Sequence, residues 1–95
     1  MSTSIKTLEA LCEFINKATG SPLTPYTHTE SGIRANVGNF HLSRAYGGVC
    51  VHRINNDGGG VTEPIWSGHI SKANAEAQMR AYLKGFETSK EEGIK

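Results

Sequence analysis

The sequence predicts a two-layer α+β domain: a helix, an antiparallel meander of three to four strands and a second helix, with both helices on one face of the sheet. Three observations carry this reading. Apolar residues recur at steps of three and four near both ends of the chain, the period of a helix with one buried face. Between residues 33 and 52 the period changes to two, as in strands with one buried face. Eight of the eleven glycines lie between Gly32 and Gly68, where such strands need tight turns. The 95 residues suffice for one small domain with an ordered core over residues 5–86.

In the first helix, Ile5, Leu8, Leu11, Cys12, Ile15 and Ala18 trace one face. Ser4 is placed to cap its start, Glu13 and Lys17 pair at i,i+4, and Gly20 followed by Pro22 ends it, so the spacing predicts a helix over 5–19. Residues 21–29 read as a connector, because Pro22 and Pro25 fix φ and remove backbone donors.

Ile33, Ala35 and Val37 alternate with Arg34 and Asn36, and Phe40 and Leu42 with His41 and Ser43. Gly38-Asn39 suits a two-residue hairpin that pairs Val37 with Phe40 and Ala35 with Leu42. A second turn at Tyr46-Gly47 places Leu42 opposite Val51 and His41 opposite His52. The polar run 55–60 forms a third connection, and residues 61–66 read as an edge strand carrying Pro64. Ser71 caps the second helix, where Ala75, Met79, Tyr82, Leu83 and Phe86 share a face. Gly85 is expected to end it, leaving residues 87–95 as a frayed tail.

This arrangement buries Ile33, Ala35, Val37, Phe40, Leu42, Val49 and Val51 beneath the helices and exposes Arg34, Asn36, His41, Ser43, Cys50 and His52 on the opposite face. No acid occurs between Glu30 and Asp57, so this face is mildly basic although the chain carries a net charge of only +1. That balance argues against a broad positive field for packaging DNA and makes any anion site local. With 37% hydrophobic residues, a mean hydropathy of −0.39 and no long apolar run, no membrane partner is expected. The N-terminal residues lack the basic and apolar segments of a secretion signal, so a cytoplasmic location is expected.

The candidate binding residues are Arg34, Asn36, His41, Ser43, His52 and Arg53 on and beside the open face, with Gly58, Gly59 and Gly60 as backbone donors for an anion. The glycine run lacks the lysine and hydroxyl of a P-loop and joins strands, which leaves it as a hairpin loop whose amides can form an anion nest. His41 and His52 on neighbouring strands, near Cys50 and Glu63, have the donor types of a metal site, but no His-x-His or Cys-x-x-Cys spacing supports one. No metal or other cofactor is therefore assigned. A thiolate nucleophile at Cys50 would need a base, an orienting group and an oxyanion site. Only the first two have candidates, and no catalytic residue is assigned.

The run Asn36-Val-Gly-Asn-Phe-His-Leu-Ser-Arg-Ala-Tyr-Gly-Gly48, followed by Val51-His-Arg-Ile-Asn-Asn-Asp-Gly-Gly-Gly60, resembles a family of small proteins encoded by tailed bacteriophages. The likeness extends through a helix holding Cys12-x-x-Ile-Asn16, a Thr19-Gly-x-Pro22 connector and a helix ending Ala81-Tyr-Leu-Lys-Gly85, and covers residues 8–86. It implies a setting, the cytoplasm of an infected bacterium, and carries over no catalytic residue.

The expected function is a non-enzymatic accessory protein that binds its target stoichiometrically. Its partner would be a host or defence protein, or a small anionic ligand such as a nucleotide. So small a core also favours a homo-oligomer. The alternatives are a nucleic-acid-binding regulator acting through the basic face and a structural accessory protein. Nucleic acid is disfavoured because Phe40 is directed to the core, while Tyr46 and Trp66 lie at a turn and an edge, away from a base-stacking platform.

Overall fold

The computed structural model describes residues 3–91, with side chains to residue 88. Helix α1 (Ile5–Thr19) starts and stops where its sequence dictates. The Ser4 hydroxyl accepts the Thr7 N–H at 3.1 Å. At the other end Gly20 takes a left-handed φ of 70°, and the N–H groups of Gly20 and Ser21 bond the Lys17 and Asn16 carbonyls in a Schellman cap.

Among the described residues five strands follow: β1 (Tyr26–Thr29), β2 (Gly32–Ala35), β3 (Phe40–Ala45), β4 (Gly48–Ile54) and β5 (Val61–Thr62); α2 (Lys72–Glu91) comes after them. The α+β order of helix, antiparallel strands and helix is as expected, but the strands divide into two sheets, β1-β2 and β3-β4-β5. Residues 26–29, read as connector, form a strand because both prolines lie before it and leave its donors intact.

The Gly38-Asn39 hairpin does not form. Gly38 N–H instead bonds the Ile54 carbonyl at 2.7 Å and Ile54 N–H bonds the Asn39 carbonyl at 3.0 Å, extending the β3-β4 ladder backwards. At Phe40, its first residue, the flank of β3 facing away from β4 is capped by a side chain. Buried Asn16 donates Nδ2–H to the Phe40 carbonyl at 2.9 Å and accepts the Phe40 N–H on Oδ1 at 2.8 Å. With that flank taken, β2 pairs with β1, and Ile33 and Val37, expected in the core, are 67% and 52% exposed.

The Tyr46-Gly47 turn forms as expected, with φ of 55° and 72°, the two left-handed residues of a tight hairpin. It sets the predicted register, Leu42 opposite Val51 and His41 opposite His52. Both helices pack over the face bearing Phe40, Val49 and Val51, joining Leu8, Leu11, Cys12 and Ile15 to Ala75 and Met79. Ser71 caps α2, its hydroxyl accepting Asn74 N–H at 3.3 Å. The helix runs through Gly85, which keeps a helical backbone, to Glu91, so residues 87–91 are helical rather than frayed; the rest of the expected tail, 92–95, lies outside the described residues.

The expected edge strand over 61–66 is only two residues long. Thr62 pairs with Arg53, and the chain returns to the same edge of β4 at Ile70, which exchanges backbone hydrogen bonds of 2.8 and 2.9 Å with Val49. Eight residue steps from Thr62 to Ile70 thus oppose four from Val49 to Arg53, and the excess leaves the ladder as a crossover over 63–69. Gly48 makes the second anchor fit, since a Cβ there would stand 2.8 Å from the Ile70 carbonyl oxygen.

Candidate functional site

The period of two in β3 and β4 puts His41 and Ser43 on the face away from the helices, beside Cys50 and His52. The 63–69 crossover adds Glu63 and His69 to them. Three imidazoles follow one another edge to face, His41 to His52 with centroids 5.8 Å apart and His52 to His69 at 6.3 Å. The Ser43 hydroxyl lies 3.2 Å from His69 Nε2, and the Tyr46 ring packs edge-on against His69 at 5.8 Å. Asn39 donates Nδ2–H to the Pro22 carbonyl, so its Oδ1, 3.2 Å from His41 Nδ1, is the acceptor of that pair. Burial first, and the neighbouring His52 second, push the His41 imidazole below its ordinary value.

Beneath this row lies a second cluster. Cys50 lies on that face, as the sequence reading placed it, but is 0% exposed because the 63–69 crossover covers it, and its S–H donates to Glu63 Oε2 at 3.3 Å. His52 Nε2 approaches the same carboxylate oxygen at 4.0 Å, and Gly68 N–H points at the carboxylate from 3.3 Å. The Cys50 thiol is pushed up to about 11 by burial, then by its hydrogen bond to Glu63 and by that carboxylate's charge. Glu63 is held low by the thiol first, then by the Gly68 N–H, with smaller contributions from His52 and His69. The thiol is therefore protonated at neutral pH and enclosed, the opposite of an activated nucleophile.

The other sequence-derived candidates are dispersed. Arg34 and Asn36 belong to the β1-β2 ribbon and its end, where Asn36 Nδ2 bonds the Thr24 carbonyl at 2.9 Å. Arg53 turns to the helix side, its guanidinium 4.7 Å from the Phe40 ring centroid and its Nε–H on the Gly38 carbonyl. The expected anion nest has no free donors: Gly58 and Gly60 N–H both bond Asn56 Oδ1 at 3.0 Å, and Gly59 N–H bonds the Asn56 carbonyl at 3.1 Å. His41, Ser43 and His52 are brought together as expected. His69 was missed, because only the doubled path of the crossover brings it back to β4.

Among the described residues no helix is long and apolar enough to cross a membrane. Comparisons of the chain with protein-family models, curated proteins and solved structures find no match.

Proposed function

We propose that this chain is a non-enzymatic phage accessory protein that acts in the cytoplasm of the infected bacterium by binding a host or defence protein stoichiometrically. The observation that carries the reading is the β1-β2 ribbon. A two-stranded ribbon is marginal by itself in water, yet here it forms a sheet of its own in which every residue but Ala35 is exposed. Its register sets Tyr26, His28 and Ile33 on one face, two of them large apolar side chains open to solvent. Its strand flanks suit strand addition by a protein partner.

A protein partner is favoured over a nucleotide by the internal bonding of the glycine loop and by the stacking of Arg53 on Phe40. The same separation of Arg34 from Arg53 leaves no continuous basic stripe for nucleic acid.

The test uses untagged protein carrying a photoreactive residue at position 28, opposite Ile33 on the ribbon, crosslinked in infected cells and weighed by native mass spectrometry. The expected result is a protein adduct of fixed stoichiometry, abolished by Ile33→Asp with unchanged circular dichroism. Effects that persist at trace molar ratios, or a retained nucleotide-sized mass, would overturn it.

A further inference from the structure

Besides the ribbon, the fold leaves a second arrangement that docking does not use. Cys50 Sγ, His52 Nε2 and a Glu63 carboxylate oxygen all lie within 4.8 Å of one another. We infer that Cys50, His52 and Glu63 form a binding site for one divalent transition-metal ion of the zinc class. The inference is independent of the docking reading.

Donor type selects the metal. A thiolate, an imidazole and a carboxylate together suit a borderline-soft ion, whereas calcium and magnesium require oxygen donors. Geometry is close to what that ion needs. With metal–ligand bonds of about 2.0–2.3 Å, tetrahedral coordination separates a sulfur from an oxygen donor by about 3.6 Å and a nitrogen from an oxygen donor by about 3.4 Å. The observed separations are 3.3 Å for Cys50 to Glu63 and 4.0 Å for His52 to Glu63. Small rotations of the His52 and Glu63 side chains therefore close the set around an ion. Glu63 is anchored for this purpose, since Gly68 N–H meets its carboxylate from the far end of the crossover.

The fourth position falls to water, and His69, held by Ser43, stands beside the set without joining it. On binding, the Cys50 thiol loses its proton to the buffer and the thiolate takes its place on the metal, so one proton is released per ion. The ion ties Glu63, at the start of the 63–69 crossover, to Cys50 and His52, which lie on β4 between the anchor positions Val49 and Arg53.

The test is titration of the untagged full chain with Co²⁺ and with Zn²⁺, after dialysis against a chelator. The expected result is one Co²⁺ per chain with a thiolate-to-metal charge-transfer band and tetrahedral visible absorption, bleached by one equivalent of Zn²⁺. Cys50→Ser should abolish the charge-transfer band, and Glu63→Gln should weaken Zn²⁺ binding by at least about 10-fold. Glu63 is partly exposed, so its substitution probes the site without opening the core. His28→Ala, on the separate ribbon, should leave affinity unchanged. The inference fails if the native chain binds Co²⁺ without a thiolate band, if Glu63→Gln binds as tightly as the native chain, or if His28→Ala weakens binding as much as Glu63→Gln.

Discussion

Replacing Asn16 by leucine tests whether a single side chain seals β3. Asn16 is 1% exposed, and its amide serves both backbone groups of Phe40, itself buried. Leucine has similar bulk but can neither donate nor accept, so Asn16→Leu strands one buried N–H and one buried carbonyl. Each costs about 1–3 kcal/mol, which gives a loss of roughly 2–5 kcal/mol after some relaxation. In a domain of this size each kcal/mol moves the midpoint by about 4–8 °C, so Tm should fall by roughly 10–30 °C. Urea unfolding followed by circular dichroism measures the loss directly, with Asn74→Ala, at an exposed position on α2, expected to stay within about 0.5 kcal/mol. Asn16→Asp keeps an acceptor for the Phe40 N–H but sets a carboxylate oxygen against the Phe40 carbonyl. Its burial should raise the new acid's pKa, so that variant should regain stability as pH falls. A loss below about 1 kcal/mol for Asn16→Leu would refute the reasoning.

Other outcomes follow from individual contacts. Gly48→Ala should destabilise the fold by about 1–3 kcal/mol, because its Cβ meets the Ile70 carbonyl, and hydrogen exchange at Val49 and Ile70 should accelerate with it. Tyr46 holds a φ of 55° while 98% exposed, so Tyr46→Gly should stabilise by up to about 1 kcal/mol in thermal unfolding. Burial first, and Glu9 second, push the Cys12 thiol from 9.0 up to about 12. The unfolded chain then loses that proton first as pH rises, so stability should be level below about pH 9 and fall by on the order of 1 kcal/mol per pH unit between 9 and 12. Urea titrations in chelator should show that slope diminished in Cys12→Ala. Ile33→Asp should change stability by less than about 0.5 kcal/mol, as its position on the open ribbon requires.

Where the chain's geometry is set by neighbours in sequence, it was legible. Ser4 and Gly20 bracket α1 through local hydrogen bonds, and Tyr46-Gly47 fixes the register of β3 on β4, including His41 opposite His52. Where distant groups decide, it was not. Gly38 does take a positive φ, but the Phe40 backbone groups that the expected hairpin needs are taken by Asn16, twenty-four residues earlier and read only as part of a helix. The candidate site divides in the same way. Its two strand histidines follow from alternation, whereas Glu63 reaches Cys50, and His69 reaches Ser43 and His52, through a crossover with no periodic pattern. Arg53, expected beside the open face at the base of the glycine loop, is turned away from it, since alternation puts it with Val49 and Val51, where its stem and guanidinium cover Phe40.

The pairing of the first helix with the last bears on how the protein is made. Leu8, Leu11 and Ile15 share one cluster with Ala75 and Met79, and Thr3 bonds Glu76 across the helix starts at 2.6 Å. During synthesis the apolar stripe of α1 therefore stays uncovered on one side until α2, more than fifty residues further along, has left the ribosome. Any product that stops before residue 72 lacks the closing helix and leaves that stripe open to other chains or to chaperones. Quality control in the cell thus hinges on the synthesis of α2, and a stop ahead of it should yield a substrate for proteases rather than a shortened folded protein.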